Sequence, residues 1–141
     1  MKNTLPILIL GLFVISNYSC EQDASPECGG EYVVINSVRY ADAPDDDFFL
    51  TDVSISGNCM NIAFQYSGGC GDIRGELIDA DVVEAGNPIR RDLRFSFRDQ
   101  DNCEALINSA FKYDLTPLQV EGETQIRLRL EGWSGLLMYN Y

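Results

Sequence analysis

The sequence predicts an all-β domain: an antiparallel, Ig-like β-sandwich of about seven to nine strands stapled by two disulfides, with a small β-barrel as the alternative. Three observations point there. Apolar and polar residues alternate in several short runs, and no stretch sustains a 3.6-residue period. Gly-, Asn- and Ser-rich turns punctuate those runs. Of five cysteines, four follow Cys20, an even number suited to two bridges. A chain of 141 residues, 45% hydrophobic, is long enough for one domain with a core and too short for two.

Residues 1–19 read as a signal peptide rather than part of the fold. Lys2 supplies a positive charge and Leu5 to Ile15 an apolar run of about eleven residues, where a membrane span needs roughly twenty. Ser16 to Ser19 then lead to Cys20. This arrangement resembles a bacterial lipoprotein lipobox, in which a small residue precedes a cysteine that is diacylated and becomes the mature N-terminus. Ser19 fits that position, and Asn17, in place of the usual aliphatic residue, resembles the relaxed lipoboxes of Bacteroidetes. An ordinary secretory signal that leaves Cys20 as a spare thiol is the alternative. Two or more acyl chains make anchoring stable where one is marginal. Residues 20–31, rich in polar residues, proline and glycine, read as a flexible tether. Glu21 and Asp23 resemble the acidic signals that send some lipoproteins to the cell surface, although a solvated linker explains the same residues.

Residues 32–141 form the predicted domain. Strands are expected at Tyr32–Tyr40, Phe48–Ser56, Cys59–Ser67, Arg74–Ile78, Leu93–Arg98, Ile107–Leu115, Ile126–Leu130 and Leu136–Tyr141. Cys103–Ala110 offers a helical turn as the alternative start of its strand. The apolar faces nominate Met60, Ile62, Phe64, Leu93, Phe95, Phe97, Ile126, Leu128 and Leu130 as core.

With Cys20 set aside, Cys28, Cys59, Cys70 and Cys103 are separated by 31, 11 and 33 residues. No CxxC occurs and no histidine exists to complete a mixed site, so zinc gives way to disulfides. If successive strands are antiparallel, Cys28 and Cys59 sit near one end of the domain, and Cys70 and Cys103 follow the far ends of their strands. That pairs Cys28–Cys59 and Cys70–Cys103. Cys59–Cys70 would have to fold back across a strand of roughly 25 Å. Each accepted bridge closes a loop of about 30 residues and stabilises by roughly 3 to 4 kcal/mol in the chain-entropy model.

The stretches INSVRYADAPDDDFFLTDVSISGNCMNIAFQYSGGCG and DLRFSFRDQDNCEALINSAFKYDLTPLQ resemble a group of small Bacteroidetes lipoproteins, with more distant similarity to NigD-type lipoproteins. The resemblance implies a fold and an envelope location, outer-membrane and either periplasmic or surface-exposed. It implies no chemistry.

Composition restricts what the domain does. A formal charge of −12 disfavours nucleic acid, and the absence of histidine removes Ser-His and Cys-His nucleophiles and His-ligated metals. Ser134 has no partner base. Calcium is the one cofactor with any motif. Asp99, Asp101 and Glu104 are spaced to converge within one turn but lack the central glycine and distal glutamate of an EF-hand. Asp45-Asp46-Asp47 is a weaker run of the same kind. A polar loop capped by Asp101 or Asn102 accounts for the first group equally. Arg94, Arg98, Arg127 and Arg129 occupy polar faces of their strands. In one sheet they would form a basic stripe for carboxylate or sulfate groups, with cross-strand pairing to acidic neighbours as the alternative. Trp133, Tyr139 and Tyr141 offer an aromatic platform for sugar, or core. The expectation is a non-enzymatic, lipid-anchored envelope protein that binds a protein or glycan partner. A small carboxylate- or calcium-dependent hydrolase of extracellular polymers is the alternative.

Overall fold

The computed structural model of the chain describes residues 26–141, so the expected signal peptide and Cys20 lie outside the described residues. Among the described residues nine strands form two sheets. Sheet one runs β1 (Glu31–Tyr32), β7 (Ala105–Asp114), β4 (Cys59–Gly68), β3 (Phe48–Ser56). Sheet two runs β2 (Val34–Ile35), β5 (Ile73–Glu84), β6 (Arg90–Asp99), β8 (Gln125–Leu130), β9 (Leu137–Asn140). The two open sheets face each other as a sandwich, and no barrel closes. All nine residues nominated as core are buried.

Three differences from the sequence reading have physical causes. The sheets are mixed rather than purely antiparallel, because β1 pairs parallel to β7, β2 to β5 and β6 to β8. The chain passes from one sheet to the other at buried Val33, so what reads as one strand is two short ones serving different sheets. Beyond Ile35 the expected strand becomes a helix, α1 (Ser37–Asp42), where Val38 and Tyr40 extended a false alternation. Asn36 caps it by accepting from the Arg39 N–H at 2.9 Å, and Ala43-Pro44 ends it. Cys103–Ala110 carries no helical turn, since β7 begins at Ala105.

A strap made of α1 and residues 43–46 crosses the outer face of sheet two. Arg94 of β6 holds it, donating to the carbonyls of Tyr40 (2.8 Å), Ala41 and Ala43 (both 3.3 Å), and Ser96 donates to the Pro44 carbonyl at 2.6 Å. Asp45 then bridges parallel to Phe97, alongside the half of β6 that β8 does not reach.

Between the sheets, Phe64 of β4 stands 5.0 Å from Phe97, 5.2 Å from Phe95, 5.8 Å from Phe111 and 6.2 Å from Phe48 (ring centroids). Such pairs contribute about 0.5–1.5 kcal/mol each beyond their buried area.

Both disulfides form as expected, Cys28–Cys59 and Cys70–Cys103. Cys70–Cys103 continues the β4–β7 register two residues past the Gly68–Ala105 pair. Cys28 reaches Cys59 by another route than parallel strand starts. The β1 strand is parallel to β7 and therefore antiparallel to β4, and a turn at residues 26–29 folds the chain back. The last part of the expected tether is thus held to the domain from Glu27 onward.

An aspartate clamps the backbone beside each bridge. Asp114 is buried and accepts from the Thr116 N–H (2.9 Å) and O–H (2.5 Å) and the Glu27 N–H (3.1 Å). Burial pushes its carboxyl up, but the Thr116 and Glu27 hydrogen bonds override this and hold it below the usual range. Asp101 accepts from Cys70 and Gly71 (both 2.8 Å) and Gly69 (3.1 Å) on one oxygen, and from Cys103 (2.8 Å) on the other. The amides of Cys103 and Cys70 lower its carboxyl most.

At the opposite end of sheet two an arginine is buried. Asp79 and Arg91 both face the interior and form a bidentate pair at 2.7 and 2.9 Å, with Asp79 fully buried. The strand bulges there, and Asp81, at φ +60°, donates its N–H to Asp79 at 2.8 Å.

Two predictions follow from these clamps and this pair. Asp79→Ala or Arg91→Ala alone should cost about 3–5 kcal/mol by urea unfolding, because each leaves a buried charge uncompensated, whereas Asp79→Leu with Arg91→Met should approach neutrality. Equal losses for single and double variants would contradict the pairing. Because Asp101 and Asp114 have lowered carboxyls, their stabilisation is present above the unfolded value near 3.8 and is lost as pH falls through the folded values. Melting temperature should therefore drop below about pH 4. Asp101→Asn should lower the neutral-pH melt and flatten that acid limb, since an amide supplies one accepting oxygen where the carboxylate uses two.

Candidate ligand-binding surface

The four arginines of the expected stripe share sheet two and do not act together. Arg94 is spent on the strap and pairs with Asp45 at 3.2 Å. Arg129 is ion-paired to Asp92, its cross-strand neighbour. Arg127 lies in register with Arg90, eight residues along β6 from Arg98, which separates the two by roughly 27 Å at about 3.4 Å per residue. Arg127's neighbour Arg90 is itself ion-paired to Glu84, whereas Arg98 faces a cationic neighbour that has no ion pair among the described residues, and that neighbour, Arg74, was not among the sequence candidates. The missed signal was pairing: Arg74 belongs to the strand before Arg98, and the hairpin register sets them directly opposite each other.

Arg74 and Arg98 are both exposed on the outer face of β5 and β6. Among the described residues no carboxylate lies within ion-pair distance of either, although Arg39, Arg90, Arg91, Arg94 and Arg129 all have such partners. Like charges directly opposite are destabilising. The pair lines a cleft of about 620 Å³ that continues under the strap and over the edge of β5. Its floor is the Gly75 backbone and the half-buried Phe111 ring of β7. A Cβ at Gly75 would stand 2.7 Å from that ring and 2.8 Å from Phe95, so only glycine lets Phe111 lie there. One row up, Glu76 is neutralised by Arg39 at 2.6 Å, and Ser96 is held by Pro44. Glu31 and Asp42 stand on the far side of that row, which gives the cleft a cationic and an anionic end. Behind Phe111, the buried Tyr113 hydroxyl has no hydrogen-bond partner among the described residues. Burial, with Glu31 and Glu76 adding, raises it far above the usual tyrosine range, so it stays a neutral O–H.

The other candidates resolve into structure. Asp99, Asp101 and Glu104 do not gather, and no group of three His, Cys, Asp or Glu side chains among the described residues is placed to hold a metal. Asp101 is occupied by the four amides described above, and Asp99 accepts from the Asp101 N–H at 3.2 Å. In the acidic run, Asp46 laces the edge of β6, donating its N–H to Phe97 and accepting from the Asp99 N–H at 2.8 Å. A smaller cleft of about 330 Å³ lies over Asp45–Asp47, where Arg94 supplies the countercharge. The aromatic platform is absent: Tyr139 is fully buried and donates to Asn58 at 2.7 Å, Trp133 packs on the core, and the Tyr141 hydroxyl accepts from Val120.

No protein-family model matches the chain, and no curated protein sequence matches it significantly. Solved structures do resemble it. A protein of unknown function from Bacteroides vulgatus superposes with a TM-score of 0.55 at 11% identity, covering 79% of this chain and 56% of its own. A putative toxin-related protein from Parabacteroides distasonis gives 0.54 at 18% identity, covering 79% and 58%. A NigD-like immunity protein from Bacteroides caccae gives 0.55 at 7% identity, covering 76% and 58%. The chain thus spans less than three fifths of the length of these structures. The likeness to NigD-type proteins expected from the sequence is met as a likeness of fold.

Proposed function

We propose that this protein is a lipid-anchored cell-envelope module that binds a carboxylate- or sulfate-bearing ligand in the Arg74–Arg98 cleft and does not chemically alter it. The observation that carries the reading is the unneutralised arginine pair. In a chain with 22 acidic and ten basic residues, placing arginine opposite arginine beside a cleft is costly unless something outside the domain supplies the anion. Two guanidinium forks on adjacent strands suit bidentate capture of oxyanions. A non-enzymatic role is supported by the lack of histidine and of any gathered nucleophile or metal constellation among the described residues. Export is supported by two disulfides, which persist in oxidising compartments. Anchoring rests on the lipobox-like Ser19-Cys20.

Two tests follow. Citrate and inorganic sulfate, titrated at low ionic strength, should bind at millimolar concentration or better, weaken with added salt, and lose at least tenfold on Arg74→Ala or Arg98→Ala. Arg74→Thr should at the same time stabilise the unliganded domain by about 0.5 kcal/mol, because it relieves the like-charge contact. Unchanged titrations would remove the anion site. For anchoring, mass spectrometry of the mature N-terminal peptide should show an acylated Cys20, and Cys20→Ala should move the protein from the membrane to the soluble fraction. A mature terminus at another residue, without acyl chains, would overturn that part.

A further inference from the structure

We propose that the ligand of this cleft is an extended acidic segment of a partner polypeptide, which adds as a strand along the open edge of β5 at Ile73 and Gly75. The inference rests on the reading of Arg74 and Arg98 as the anion site and names its substrate class. The β2 strand covers β5 only at Ile78 and Asp79. The Asn36 N–H donates to the Asp79 carbonyl, so Asp79 turns its backbone groups to that side. Alternate residues of a strand repeat this direction, which turns the N–H and C=O of Ile73 and Gly75 to the same side. Among the described residues no strand pairs with them there, because the chain that leads into β2 has come from the other sheet through Val33.

Free strand edges are ordinarily blunted or covered. Here the edge instead opens onto the cleft, with Phe111 beside it and the arginine pair at its start. A strand laid along it would satisfy Ile73 and Gly75 and alternate its own side chains between two environments. One set would stand over the outer face, within reach of Arg74 and Arg98. The other would point between the sheets toward Phe111 and Ile73. That pattern selects alternating acidic and small apolar residues, with the acidic end over the start of β5 and away from Glu31 and Asp42. An acidic glycan could meet the arginines but has no regular N–H and C=O row for the edge.

The test uses the full-length protein in detergent micelles and the probe acetyl-Glu-Val-Glu-Val-Glu-amide. Binding should slow amide exchange at Ile73 and Gly75 at least tenfold. The same peptide N-methylated at both valines should lose at least tenfold in affinity, since its charge is kept and its strand donors are gone. R74E/R98E should bind the acidic peptide at least tenfold more weakly and a Lys-Val-Lys-Val-Lys counterpart more tightly. Equal binding of the N-methylated peptide, no slowing at Ile73 and Gly75, or no charge-swap recovery would each overturn strand addition. Binding of citrate or polygalacturonate without peptide binding would overturn the polypeptide ligand and leave the anion site standing. If none of these anions bound, both readings would fall together.

Discussion

The structure depends on one packing constraint: two open sheets with few residues must be joined by rings that reach across the gap. Phe64 is the centre of that contact, touching Phe48 and Phe111 from its own sheet and Phe95 and Phe97 from the other. Interiors pack at near-crystalline density, so each of these rings restricts what its neighbours can be. Gly75 is the clearest consequence. Phe111 needs the space where a side chain would stand, so β5 must present bare backbone at the point where it is unpaired. The cleft and the core are therefore one arrangement seen from two sides.

The interior rings do not secure the ends of the sandwich. There the chain uses covalent bridges with an aspartate beside each, Asp114 near Cys28–Cys59 and Asp101 near Cys70–Cys103. A short acidic side chain can collect several backbone N–H groups at a turn, which an apolar residue cannot. This explains why acidic residues that looked like metal ligands are structural: the donors they face are amides rather than a cation. The third reinforcement, Asp79–Arg91, stands where β5 bulges and ladder pairing is interrupted.

The sequence was most legible where one residue type does one job. Alternation located β3 and β4 almost to the residue, because one face of each packs on the core and the other meets solvent. It misread residues 37–40 because Val38 and Tyr40 continue the period of Tyr32 and Val34, while the stronger local signals were the Asn36 cap and Pro44. The disulfide partners came out as expected although the strand direction assumed for β1 did not, since a crossover within five residues leaves no trace in periodicity. The arginines showed the limit most plainly. A sequence reveals that Arg94 and Arg129 lie on polar faces, but not that carbonyls of the strap claim one and Asp92 the other. Arg74 could not be singled out before the β5–β6 register was known.

Charge allocation ties these features together. Arginine is scarce here, and most of it goes where a fixed fork holds something in place: Arg94 on the strap, Arg91 in the interior, Arg39 beside Glu76, Arg90 and Arg129 beside Asp92. The strap in turn keeps α1 over the middle of sheet two and leaves the row beyond Glu76–Ser96 uncovered. That uncovered row carries Arg74 and Arg98. With acidic residues in more than twofold excess, a neutralising partner across the strand was the easily available choice. The fold instead sets two unpaired arginines directly opposite each other where its free backbone edge, its bare glycine and its cleft coincide. A strand edge alone would invite indiscriminate pairing, and an arginine pair alone would attract any small anion. Their coincidence requires both features from one ligand, and that requirement is the source of selectivity on an otherwise acidic surface.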